Sequence, residues 1–352
     1  MKILLFGEFS GVHLNLKRGL ISLDQNVTIA STGDGWKGFG ADISLGKGGA
    51  GLAGKLSRIA TPIISRRDLI GYDVIQLISP FSYFTEYGLY SFQKYLIENN
   101  ERTFLVSAGC DYYFRKNIQK SFFKTPLCDR CLAIDYGSKV CPYESEGKKQ
   151  WNERILRYVN GVIPLAPFYE YVYRFSDKIR PMIPFPIDTS QVQSELKKPG
   201  KKIKIFHGIN RRGFKGSDVI EKAFDRLQSK YPKDLELIIA KGMPYKIYLE
   251  TLRNVDVVLD QLYSPGWGIN TLITMLMGKL VITHYKDDGV VNHNEASVVN
   301  VVPSVEGIVE SVEWILENKN NYVYYGERNR LYVEKYHDHI HIAKKFLSAW
   351  NG

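Results

Sequence analysis

No stretch of eighteen apolar residues occurs in this chain, so the sequence offers no transmembrane helix. The opening MKILLFGEF carries one lysine and an apolar run of only four residues, too short for a signal-peptide core. The expected location is therefore cytoplasmic, or peripheral at the inner face of a membrane. Cysteine is scarce, four in 352 residues, and in a reducing cytosol these are not expected to form structural disulfides. Acidic residues number 37 against 47 basic ones, a net charge of +10. Yet there is no arginine-rich tail and no recognisable nucleic-acid module. The surplus charge points to a small phosphorylated ligand or an anionic lipid surface, and a nucleic-acid partner is not expected.

What is present suits a soluble chain with a real core: 44% hydrophobic and 24% charged residues. At this length two domains are the natural expectation. KILLFGE reads as a buried strand, GEFSG as a turn, VHLNLKRGLISL as a helix and NVTIAS as the next strand. Gly33 to Gly54 holds nine glycines and reads as a mobile loop. Strands DVIQLIS and TFLVSAG follow, with the helix YSFQKYLIENN between them. A strand-rich run broken by prolines, GVIPLAP and MIPFPI, closes the first half, and LKKPGKKIK reads as a linker. The alternation restarts at KIKIFHG and ends in a long helix, YGERNRLYVEKYHDHIHIAKKFLSAW, with a kink expected within it. Strands alternating with helices imply parallel βαβ units. Ligands of such sheets lie at the carboxyl ends of the strands, and the cleft between two such halves is the expected active site.

Two segments carry chemistry. In IFHGINRRGFKGSD, Arg211, Arg212 and Lys215 fall between a strand and a helix, where a phosphate would lie; the alternative is a basic surface loop. Gly208, Gly213 and Gly216 let the backbone approach a ligand closely. In DVVLDQLYSPGWGINTLITMLMGKLVIT, a strand ends at Asp260 and a glycine turn opens an apolar helix near Asn270. The free N–H groups of that helix would attract a diphosphate.

The pairing of these segments resembles the GT-B glycosyltransferases, in particular the family 4-like group of bacterial surface-polysaccharide synthesis. That group opens its second domain with an Arg…Lys-Gly loop. Further on it carries a motif that this chain renders as Asp260-Gln261, Gly266-Trp267-Gly268, Leu272, Met275, Met277-Gly278-Lys279 and Val281-Ile282. The resemblance implies an α/β GT-B fold: two Rossmann-like domains facing across a cleft, with a C-terminal helix crossing back to the first. The expected domains are residues 1–188 plus 333–352, on the acceptor side, and 199–332, binding a nucleotide-sugar. The implied activity is hexosyl transfer from a nucleotide-sugar to a glycan or lipid-linked acceptor, with retention and no obligatory catalytic metal or cofactor.

By the same resemblance, Arg211 or Arg212 and Lys215 would hold the donor diphosphate, met from the other side by Gly268, Asn270 and Thr271. His207, Gly208, Asp260 and the turn at Met243 would face the nucleotide. One departure stands out. The family motif has two glutamates, the second of which accepts hydrogen bonds from the ribose; their positions here hold Gly266 and Ile273. Either Asp260 or Asn270 holds the ribose, or the donor differs, or the protein is a catalytically silent partner of an active transferase.

Other candidates stand apart from that motif. His13, just past the first glycine turn, is either a substrate-facing catalytic residue or a satisfied structural one. Asp111 either contacts the acceptor side or caps a helix. Cys110, Cys128, Cys131 and Cys141 fall within 32 residues, in a spacing that fits a closed structural zinc site or a set of buried thiols. KLSRIATPIISRR, with Lys55, Arg58, Arg66 and Arg67, is either a membrane-surface segment or an ordinary surface helix.

Overall fold

The computed structural model describes residues 1–46, 51–81, 90–137, 140–190 and 196–352. These fall into two compact units: residues 1–122, 141–188 and 337–352 in the first, residues 123–140 and 189–336 in the second.

In the first unit, β1 (Lys2–Phe6) leads through a glycine turn into α1 (Val12–Ile21), followed by β2 (Asn26–Ser31) and β3 (Ile43–Ser44). After α2 (Leu52–Ile64) come β4 (Val74–Leu77), α3 (Tyr90–Glu98), β5 (Arg102–Ser107) and α4 (Tyr112–Asn117). The chain then enters the second unit for residues 123–140, which include α5 (Leu127–Arg130), and returns for α6 (Glu146–Tyr158), β6 (Gly161–Pro164) and α7 (Pro167–Tyr173). The six strands are parallel, in the order β3-β2-β1-β4-β5-β6. That is the doubly wound strand order of a complete Rossmann-like sheet. Ile3, Leu4, Leu5 and Phe6 of β1 and Val74, Ile75 and Leu77 of β4 are buried, as central strands covered on both faces require.

The second unit continues with β7 (Ile203–Ile209), α8 (Arg212–Lys215), α9 (Ser217–Lys230), β8 (Leu235–Lys241), α10 (Tyr245–Arg253) and β9 (Val257–Leu259). Then come α11 (Ile269–Leu276), β10 (Leu280–Thr283), β11 (Val299–Asn300), α12 (Val305–Glu317) and α13 (Tyr322–His337). Its sheet is also parallel, in the order β11-β10-β9-β7-β8. The order reverses between β7 and β9, the switch point at which such sheets take ligands.

The long last helix divides as expected of a kink, and the division is complete. Asp338 ends α13 and caps α14 (His339–Asn351), accepting from the N–H groups of Ile340 and His341 at 3.0 Å. α14 belongs to the first unit and packs on α1. At Gly19 the approach is closest: an added Cβ would stand 2.1 Å from the carbonyl oxygen of His339.

Three expectations are corrected. The first domain does not run unbroken from 1 to 188, because 123–140 belongs with the second unit, and the return to the first unit falls at His337 instead of 333. MIPFPI forms no strand: prolines lack the N–H a ladder needs, and only Ile187 makes a bridge, to Asp338. The glycine-rich stretch is not loop throughout, since it contains β3 and the start of α2; its residues 47–50 lie outside the described residues.

Candidate functional site

The second unit gathers most of the expected donor residues at the carboxyl ends of β7 and β9. Lys215, at the end of α8, is buried, and its Nζ donates to the Gly208 carbonyl at 2.8 Å and to Asp260 Oδ1 at 2.9 Å. Asp260 Oδ2 accepts from Thr271 Oγ1 at 2.8 Å. Burial alone would raise the Asp260 carboxyl. The Lys215 charge and the hydrogen bonds from Lys215 and Thr271 hold it below its ordinary value instead. One carboxylate thus ties the end of β7, the end of β9 and the first turn of α11 together.

His207 is a second strut. Its Nδ1 lies 2.8 Å from the Leu259 carbonyl and its Nε2 2.8 Å from Ser217 Oγ. Burial, helped by the Lys215 charge, pulls the ring down to about 4, so it is neutral near pH 7. With Nδ1–H donating to the carbonyl, Nε2 accepts from the serine hydroxyl. Neither nitrogen remains for a nucleotide.

The basic loop divides three ways. Arg212 pairs with Glu221 on the surface through both guanidinium nitrogens. Arg211 lies half-buried over the Phe214 ring, 4.4 Å from its centre, and donates to Cys131 Sγ at 2.9 Å. Lys215 is committed to Asp260. The magnitudes separate them: opening an exposed ion pair costs at most about 1 kcal/mol, whereas breaking a buried one costs roughly 3–5 kcal/mol. Arg212 can turn to an anion; Lys215 positions the loop.

The N–H groups of Gly213 and Phe214, which would face a phosphate, are occupied. They donate to the Asp135 carboxylate at 3.0 and 3.1 Å. Asp135 comes from the 123–140 excursion, also held by the Arg130–Asp218 ion pair at 2.6 Å. Gly213 is required there, since an added Cβ would lie 2.5 Å from the Arg130 carbonyl oxygen. Nothing in the sequence marks Asp135, because its partners lie 78 and 79 residues downstream.

The start of α11 is different. Gly268 is its N-cap with no side-chain cap, and the N–H groups of Ile269, Asn270 and Thr271 meet no protein acceptor among the described residues. The Trp267 indole N–H is also buried without an acceptor. Asn270 is half-buried and Thr271 is locked to Asp260. Ile273 is buried in the helix interior, where it offers no hydrogen bond to a ligand. Met243 is half-buried in the turn before α10.

The candidates of the first unit are held by structure. His13 is fully buried, with Nδ1 at 2.7 Å from the Gly7 carbonyl and Nε2 at 3.2 Å from Gln76 Nε2. Gln76 in turn accepts from Trp350 Nε1 at 3.1 Å. Burial holds His13 down at about 4, so it is a neutral link joining β1, α1, β4 and α14, with no ring nitrogen left for a substrate. Asp111 caps α4, accepting from Phe114 N–H at 2.7 Å and from the Tyr173 hydroxyl at 2.6 Å. Burial raises its carboxyl to about 6. A residue absent from the sequence reading, Glu8, lies beneath the first glycine turn and accepts from Leu14 N–H at 2.8 Å. Burial raises it to about 7.

Cys110 and Cys141 belong to the first unit and Cys128 and Cys131 to the second, so neither unit builds a four-thiolate zinc site by itself. α2 does form, and Leu52, Leu56, Ile63 and Ile64 are exposed on it. No helix among the described residues is long and apolar enough to cross a membrane.

No family model and no curated protein sequence matches the chain. Solved structures do. A sucrose-phosphate synthase from Thermosynechococcus elongatus aligns over 100% of this chain and 98% of its own, with a TM-score of 0.64 at 12% identity. An α-glucosyltransferase solved with UDP-glucose and DNA containing an abasic site aligns over 100% of both chains, with a TM-score of 0.64 at 13% identity. A UDP-GlcNAc 2-epimerase from Neisseria meningitidis, bound to UDP-GlcNAc, aligns over 99% of both, with a TM-score of 0.54 at 13% identity. Two parallel Rossmann-like sheets in one chain, matched over its full length by these structures, make this a GT-B fold.

Proposed function

We propose that the protein is a nucleotide-sugar-dependent glycosyltransferase whose donor diphosphate rests on the amino end of α11. The observation that carries this is the set of unmet N–H donors at Ile269–Thr271, beside the β7/β9 switch point. A helix start with free N–H groups carries partial positive charge and suits an anion. The Lys215–Asp260–Thr271 network fixes that turn before any ligand arrives. Fixed dipoles of this kind stabilise charge as it develops on a leaving nucleoside diphosphate. Arg212, released from Glu221, would supply the mobile positive charge. Neighbours in the same fold solved with UDP-glucose or UDP-GlcNAc support the ligand class.

The acceptor we propose is a glycan or a lipid-linked glycan of the cell surface, and transfer with retention. The exposed apolar residues of α2, flanked by Lys55, Arg58, Arg66 and Arg67, would rest on an anionic membrane where such an acceptor is presented.

A second reading, a catalytically silent partner of an active transferase, is favoured by Ile273 at the ribose position and by Asp135 on the loop N–H groups. Nucleotide release from a panel of UDP-, GDP-, ADP- and CDP-sugars separates the two. Slow hydrolysis of one donor, faster with a glycan acceptor, is the result expected of a transferase. Binding without turnover across the panel is the result expected of the silent partner.

A further inference from the structure

We infer that Asp287, Asp288 and His293 form a binding site for one first-row divalent cation of the Mn²⁺, Co²⁺ or Zn²⁺ type, on the loop that follows β10. The inference stands on this loop alone and does not depend on the donor reading. One ligand atom from each residue lies within 4.8 Å of the others, the one group of three such residues among those described. The acidic pair by itself would mean little. The second observation is the imidazole: His293 is only 8% exposed, yet its Nδ1 has no hydrogen-bond partner.

The geometry explains what Nδ1 faces. It lies 3.6 Å from Asp287 Oδ1. That is too long for a hydrogen bond. It is the right order for two ligands of one ion, since atoms each bound at about 2.0–2.2 Å stand roughly 3.0–3.6 Å apart. Nδ1 and the Asp287 carboxylate thus face each other across a gap that no hydrogen bond closes.

The loop holds these groups in place. The ring stacks on Tyr285, with centroids 4.3 Å apart, and meets the Trp267 edge at 4.7 Å. Asp288 Oδ1 accepts from Val290 and Val291 N–H at 2.8 and 2.9 Å, which orients the carboxylate and leaves its other oxygen. Asp287 accepts from Gly289 N–H at 3.1 Å, and Gly289 takes the left-handed backbone (φ 66°) that the reversal needs. One nitrogen and two carboxylates leave room for water or a ligand oxygen, and the nitrogen favours first-row ions over Mg²⁺ or Ca²⁺.

Mn²⁺ is the probe of choice, because it avoids the four thiols that would compete for Zn²⁺. Titration of the full-length protein, followed by loss of the free-ion paramagnetic resonance signal, should show one site per chain with submillimolar affinity. Trp267 emission should fall as the site fills. Asp287→Asn and His293→Gln should each weaken binding roughly tenfold or more. Asp287 has a 76% exposed side chain, so its substitution leaves the fold intact and keeps the test clean. No bound Mn²⁺, or equal affinity in wild type and Asp287→Asn, would overturn the assignment. So would binding that disappears in Cys128→Ser and persists in His293→Gln.

Discussion

Lys215 shows how a residue can be found for one reason and matter for another. Its place after a strand, beside two arginines, marks the ligand end of the sheet. Its charge, however, is spent on Asp260, and that partner lies 45 residues away where no local pattern announces it. Lys215→Ala would leave a buried carboxylate with only Thr271 for support, so it should lower stability by about 3–5 kcal/mol in denaturant titration. Arg212→Ala should change stability by less than about 1 kcal/mol, because its pair is exposed. It should nevertheless weaken nucleoside diphosphate binding. If Lys215→Ala unfolds at the wild-type denaturant concentration, the strut assignment fails. His13 and Asp111 teach the same lesson: residue type and strand-end position are legible in a sequence, but the identity of a buried side chain's partner is set by the fold.

Among the elements, strands and helices were largely legible because both sheets are parallel and covered on both faces. Such strands read as short apolar runs between helical patterns, as β1, β2 and β10 do. Two things were not legible. The prolines of MIPFPI share the apolar character of a strand but cannot pair as one. The 123–140 excursion packs with its second unit through Asp135, Arg130 and Cys131, contacts made across some 80 residues of sequence. The α1–α14 seam depends on a missing side chain. Gly19→Ala would drive a methyl group toward the His339 carbonyl, so α14 must shift. The expected cost is about 1–3 kcal/mol, with early hydrogen exchange in residues 339–351. Protection of α14 equal to wild type would show that the seam tolerates the methyl.

For the whole molecule, buried titratable groups give stability a defined pH dependence. His13, His207 and His337 are each held at about 4 by burial. Their folded values lie below the unfolded value of 6.5, so the stability they contribute is present above pH 6.5 and is lost as pH falls towards 4. Glu8 runs the other way. Its value is raised from 4.5 to about 7, so its contribution is complete below pH 4.5 and is lost as pH rises through 7. Asp111, raised to about 6, adds to that limb. The three histidines outnumber the two carboxyls over the same window, so the stability set by these groups should rise from pH 4 to about 7 and change little above it. Glu8→Gln removes one alkaline contribution, and its stability relative to wild type should rise by about 3 kcal/mol between pH 4.5 and 8. A constant difference across that range would mean that Glu8 is not buried as described.

The central claim is that the amino end of α11 holds a diphosphate, and Asn270→Asp tests it most directly. A carboxylate in the first turn favours the helix, by about 0.3–1 kcal/mol, while repelling a bound anion. Calorimetric titration with UDP, GDP, ADP and CDP should find one that binds the wild-type protein. In Asn270→Asp that nucleotide should bind at least about tenfold more weakly, an equilibrium change of about 1.4 kcal/mol, with the melting temperature unchanged or raised. Equal affinity in the variant, or no diphosphate bound by the wild-type protein, would contradict the account.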